Sequence, residues 1–172
     1  MQKMLIAIDP GWSGAIAFSY DNKVFVERMP QSAFGIFVAL KNMQEMADGE
    51  MMPVEWMLEK VHAMPRDGKV SAWSFAENVG IIKGVLAGLL LNDDRIEKMQ
   101  VDPRSWQNKI PNLPSSKFEK TGDKKEDEKA ARKKKQERKN FLRDFAQEKY
   151  PHLSVNLKNG DALCMLWTMT QP

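Results

Sequence analysis

The sequence predicts an α/β fold, a five-stranded mixed sheet flanked by helices. Three observations carry this: short strand-like segments crowd the N-terminal part, strand-like and helix-periodic segments then alternate, and the C-terminal third reads as helical. The length of 172 residues with 42% hydrophobic content suits one domain with a sizeable core and would strain to hold two. Residues 1–172 are therefore read as a single domain.

Taken in order, Met4 to Asp9 (MLIAID) is a nearly continuous apolar run, the pattern of a buried strand, and DPGWSG after it is a tight Gly/Pro turn. GAIAFSY (Gly14 to Tyr20) and KVFVERM (Lys23 to Met29) meet at Asp21 and Asn22, which predicts a hairpin and three antiparallel strands. Ser32 to Ala47 carries Phe34, Phe37, Val38, Leu40 and Met43 mostly at three- and four-residue steps, an amphipathic helix. PVEWMLEKVH (Pro53 to His62) reads as a fourth strand. Ala72 to Leu91 sets Phe75, Val79, Ile82, Leu86 and Leu89 on one helical face, and IEKMQVD (Ile96 to Asp102) reads as a fifth strand ending at Pro103. Helix-length connections favour parallel pairing of the later strands. Pro111 to Lys125 reads as a loop, so a charged loop and a basic helix occupy about residues 114–149. This succession is that of the ribonuclease-H-like fold.

The net charge of +3 is unevenly distributed. Lys117 to Lys149 holds 13 Lys/Arg against 8 Asp/Glu, and Lys129 to Arg143 holds eight basic residues and one acid. That concentration suits a polyanion such as a nucleic-acid backbone, and a solvated charged helix accounts for it equally well. The single cysteine, Cys164, excludes an intramolecular disulfide, and no Cys/His cluster has zinc-ligand spacing. A reducing, cytoplasmic setting is expected. The N-terminal apolar run is too brief for a signal-peptide core, and Ile81 to Leu91, interrupted by Lys83, falls short of the ~20 residues that span a bilayer, so no membrane association is expected.

Three acids stand out. Asp9 ends a buried strand before a glycine-rich turn, a rigid position from which a carboxylate serves a metal or a hydrogen-bond network; stabilising the turn is the plainer role. Glu59 ends the fourth strand, where alternation sets Trp56, Leu58 and Lys60 on one face and Glu55, Met57 and Glu59 on the other. A glutamate there needs a compensating partner if buried, and a cation shared with Asp9 would supply it; a surface carboxylate beside Lys60 is the alternative. Asp161 opens the final helix (NGDALCMLWTM), where compensation of the helix dipole would also favour an acid.

IAIDPGWSGAIAF, MLEKVHAMP and GDALCML occur in the order, and near the spacing, found in the RuvC-like Holliday junction resolvases, and the chain most resembles their bacteriophage-type members. The resemblance extends through AMPRDGKVSAWSFAENVGIIKGVLAG and VDPRSWQNKIP, so it covers most of the chain apart from roughly Pro114 to Arg138. It implies that Asp9, Glu59 and Asp161 are catalytic and bind Mg²⁺ or Mn²⁺, two ions about 4 Å apart at the scissile phosphate. One ion would activate water and the other would stabilise the leaving 3′ oxygen, giving 5′-phosphate and 3′-hydroxyl ends. The implied substrate is branched DNA, chiefly four-way junctions, nicked symmetrically by a homodimer.

The family supplies a fourth acidic or histidine ligand shortly before the final carboxylate. Here that stretch reads Leu157, Lys158, Asn159, Gly160. Asn159 is a candidate metal ligand through its amide oxygen, or a helix cap; Lys158 is a candidate phosphate contact in place of metal charge. His62, three residues past Glu59, is a candidate for stacking on an unpaired base, and Arg66, Lys69 and Trp73 for contacts in the same region. Lys133, Lys134 and Lys135 represent the basic run as nonspecific DNA contacts. Gly80, Gly84 and Gly88 form a stripe whose cost of ~1 kcal/mol each in a helix implies a close backbone neighbour, either the sheet beneath or the same helix of a two-fold mate; the resemblance implies the latter. Two other functions fit parts of the sequence. One is a junction-binding protein with a decayed site. The other is an actin-like ATPase module, for which the chain is too short.

Overall fold

The computed structural model describes residues 3–61, 68–90 and 93–171. Its centre is a mixed sheet of five strands in the order β3-β2-β1-β4-β5. The strands β1 (Met4–Asp9), β2 (Ala15–Tyr20) and β3 (Lys23–Arg28) pair antiparallel, while β4 (Val54–Glu59) runs parallel to β1 and β5 (Gln100–Val101) parallel to β4. The β2–β3 hairpin turns on Asp21 and Asn22, both at positive φ (48° and 58°), the left-handed pair that a two-residue hairpin loop requires.

The period of two in β1 divides the core. Met4, Ile6 and Ile8 enter a cluster with Ile16, Phe18, Trp56 and Leu58, beneath α1 (Ala33–Gly49), α2 (Lys69–Leu90) and α3 (Asp93–Met99). Leu5 and Ala7 face the other way, into a cluster formed with α4 (Pro103–Gln107), α5 (Lys124–Lys149) and α6 (Gly160–Met169). Ala7, Ala15 and Ala17 are fully buried there, and their small side chains let α6 lie close over β1 and β2. Ile6 and Ile8 have no exposed surface; truncating either to alanine would cost ~2–5 kcal/mol.

Local signals set the helix starts. Ser32 caps α1 by accepting from the Gly35 N–H at 3.0 Å, Asp102 caps α4 ahead of Pro103, and Asp123 caps α5 by accepting from Lys125 and Glu126.

One sequence expectation needs correction, and one alternative left open is removed. The fifth strand was expected from Ile96 to Asp102, whereas helix α3 runs to Met99 and only Gln100–Val101 are extended. Ile96 and Met99 are both buried, one helical turn apart, which strand alternation could not achieve. The sheet is not the close neighbour of the glycine stripe: a Cβ at Gly80, Gly84 or Gly88 would meet nothing within 4 Å. Among the described residues no helix is long and apolar enough to cross a membrane.

Candidate active site

Asp9 and Glu59 are the last residues of neighbouring parallel strands, each one step beyond the registered pair Ile8 and Leu58. Alternation turns both toward the face covered by α5 and α6, as it does Ala7 and Met57. Asp161, in the first turn of α6, reaches the same place from above. The three carboxylates line one cavity of about 660 Å³, together with Lys135, Arg138, Lys139 and Lys158. Acids therefore form its floor and cations its rim.

The turn after Asp9 is held without slack. Gly11 has φ of 107°, and a Cβ there would sit 2.8 Å from the Phe75 ring. At Gly14 a Cβ would lie 2.1 Å from the Asp9 carbonyl oxygen, so the chain can double back only as glycine. Asn78, fully buried on α2, accepts the Gly11 N–H at 2.7 Å through Oδ1, while its Nδ2 has no partner among the described residues. Helix α2 thus clamps the turn that presents Asp9.

Burial and like charge both act on the acids. Burial, then the charges of Asp161 and Glu59, hold Asp9 well above the ordinary carboxylate range, against the pull of Lys139. Glu59 is pushed up to about 7, chiefly by burial, with Asp161 and Asp102 adding to the rise. The hydrogen bond from Trp106 Nε1 to Glu59 Oε1, 3.0 Å, and the charge of Lys139 oppose it. Burial raises Asp161 too, opposed by Lys139 and then Lys135. Among the described residues, Lys139 is the one cation that acts on all three acids.

The donor chemistry fits a hard divalent cation: three carboxylates crowd one space, and all their donors are oxygen. As they stand, no group of three His, Cys, Asp or Glu among the described residues is disposed to hold a metal ion, so the acids share a cavity without forming a closed cage.

Of the other sequence candidates, Lys158 and Lys135 line the cavity. Lys133 does not, and Lys134 is paired with Glu137 at 2.9 Å. Lys69 and Trp73 are exposed on α2 and do not line the cavity. His62 and Arg66 lie outside the described residues. Asn159 occupies the N-cap position of α6 but makes no side-chain cap: its Oδ1 accepts the Asn156 N–H at 2.7 Å and its Nδ2 donates to the Ser154 carbonyl at 3.1 Å. It ties down the preceding loop instead, and is not among the cavity-lining residues.

Sequence reasoning missed Trp106, Arg138, Lys139, Phe75 and Asn78. The α5 pair had a readable signal. Counting helical steps toward the N-terminus from the buried Leu142 gives Lys139, Arg138 and Lys135, one face of the helix and all cavity-lining. Arg138 also donates to Gln107 Oε1 at 2.6 Å and to the Pro114 carbonyl, which fastens α5 to the segment carrying Trp106. Trp106 and Asn78 act through pairings distant in sequence, which periodicity cannot reveal. No protein-family model matches the chain, and no curated protein matches it.

Proposed function

We propose that the chain is a metal-dependent, structure-specific endodeoxyribonuclease with a ribonuclease-H-like fold, resolving four-way DNA junctions as a homodimer in the manner of the RuvC-like resolvases. The observation that carries this is the joining of Asp9, Glu59 and Asp161 in one cavity under a rim of Lys135, Arg138, Lys139 and Lys158. Acids at the floor suit a metal ion, and cations at the rim suit the phosphodiester that would lie across it. The strand order β3-β2-β1-β4-β5, antiparallel on one side of β1 and parallel on the other, supports the fold.

Asp9, Glu59 and Asp161 would hold Mg²⁺ or Mn²⁺, which supplies Lewis-acid charge and an activated water. The chain's own contribution is positional and electrostatic. Trp106 fixes the orientation of Glu59, the Asn78 clamp fixes the Asp9 turn, and Lys139 lowers the proton affinity of all three acids so that they ionise more readily. The exposed stripe of Gly80, Gly84 and Gly88, open beyond each Cα, supports the close approach of a second copy of α2.

Junction binding without cleavage is the second reading, favoured by the absence among the described residues of an acidic group disposed to hold a metal ion. A synthetic four-way junction incubated with the protein in Mg²⁺ and in EDTA separates the two. Symmetric nicks in Mg²⁺ alone are expected. Asp9→Asn, Glu59→Gln and Asp161→Asn should each reduce them by orders of magnitude while binding persists. Binding with no nicks under any divalent ion would favour the second reading, and full activity in any one variant would remove that residue from the site.

A further inference from the structure

A second cavity of about 640 Å³ continues the acid-lined one past the β1–β2 turn, and Ser13, Gly14, Phe75 and Lys158 line both. Among the described residues its charged lining consists of Arg28, at the end of β3, and Lys158, and no carboxylate of those residues lines it. The polar remainder is Ser13, Gln31, Ser71 and Ser74, all uncharged. Among the described residues neither cation is ion-paired, whereas Lys3, Lys41 and Lys134 each have a carboxylate partner. Fold stability gives these two cations no evident task.

The wall is also built in advance of any ligand. Gln31 Nε2 donates to the carbonyls of Trp12 and Met29, both at 2.7 Å, and the Met29 N–H donates to the Gly14 carbonyl at 3.0 Å. The turn that presents Asp9 on one side therefore forms the wall of the second cavity on the other. A ligand seated there stands in fixed register with the acids, with Lys158 between the two spaces. A trough whose described lining offers two cations without an ion pair, hydroxyl donors and no acid is suited to a phosphodiester, not to a neutral or cationic group.

We propose that this cavity is a second phosphate subsite, gripping a backbone phosphate next to the scissile one through Arg28, with Lys158 shared between the subsites. The inference rests on the nuclease reading for the word scissile, but the binding it asserts needs no cleavage. Arg28 is exposed at a strand end, so its replacement leaves the core intact.

The test measures binding of a labelled four-way junction in EDTA, by wild type, Arg28→Ala and Arg28→Lys, across a range of salt. Junctions carrying one neutral methylphosphonate at each phosphate near the branch point in turn supply the second arm. Arg28→Ala is expected to weaken binding about tenfold and to reduce the salt slope by about one, with Arg28→Lys restoring the slope. One methylphosphonate position should cost wild type a similar factor and cost Arg28→Ala nothing further. An unchanged slope, or losses that multiply at every position, would overturn the subsite. A wild type that binds but fails to cut in Mg²⁺ would defeat the nuclease reading and still leave the EDTA arms to decide the subsite. A wild type that does not bind the junction would overturn both.

Discussion

Replacing Glu59 by glutamine is expected to stabilise the metal-free protein, and only at high pH. The folded carboxyl titrates near 7 against an ordinary value of 4.5. Between those values the folded state keeps a proton that the unfolded chain has lost, so stability falls as pH rises through the window and levels off above about 7. At roughly 1.4 kcal/mol per tenfold change in proton affinity, the rise corresponds to a penalty of ~3 kcal/mol for folding around the ionised group. Glutamine keeps an oxygen to accept the Trp106 N–H, although a neutral acceptor is weaker, and that offsets the gain to ~2 kcal/mol. Removing the charge also relieves Asp9, on which Glu59 acts directly. Urea denaturation followed by tryptophan fluorescence in EDTA, at about pH 4 and about pH 8.5, measures both ends of the window. Equal stability differences at the two pH values, or a variant less stable at the higher one, would refute the placement of Glu59 in a buried acidic cluster.

Other expectations follow from the same geometry. Trp106→Phe removes the donor that pulls the proton affinity of Glu59 down, so the acidic limb of the cleavage pH profile should move about one unit to higher pH, read from initial rates across pH. Gly14→Ala should cost ~2 kcal/mol or more in thermal and urea unfolding, because its Cβ collides with the Asp9 carbonyl and nothing flexible can yield. Gly84→Leu should raise monomer stability by up to ~1 kcal/mol, since its Cβ meets open space and the helix interior loses a glycine, yet under the proposed dimer it should shift the mass measured by light scattering toward the monomer and reduce paired nicking.

Much of the architecture was readable because β1 and β2 are written as short, nearly continuous apolar runs and β4 as an alternating one, and the alternation in β4 had already set Glu59 on the face of Met57. Ser32 and the apolar steps after it gave α1 to within a residue at its start. The reading failed at Ile96 to Asp102, where Glu97, Lys98, Met99 and Gln100 all favour a helix and the buried pair Ile96 and Met99 is one helical turn apart. At the site, the acids were legible as costly groups at strand and helix ends. The residues that tune them were not, since Trp106 reaches Glu59 across 47 positions and Asn78 reaches Gly11 across 67. Asn159 had the sequence context of a cap, yet a competing backbone N–H three residues earlier claims its oxygen.

The distance along the chain between the acids bears on the order of folding. The β2–β3 hairpin and its pairing with β1 are local and can form early, while β4 must return to β1 across an intervening helix. Asp161 joins only when α6 docks on the sheet, some 150 residues after Asp9 has emerged. During synthesis the segments carrying Asp9 and Glu59 therefore leave the ribosome well before the segment carrying Asp161. Under the proposed function, cleavage competence would therefore switch on with the docking of one ten-residue helix, and a chain truncated before it would lack one of the three proposed metal ligands.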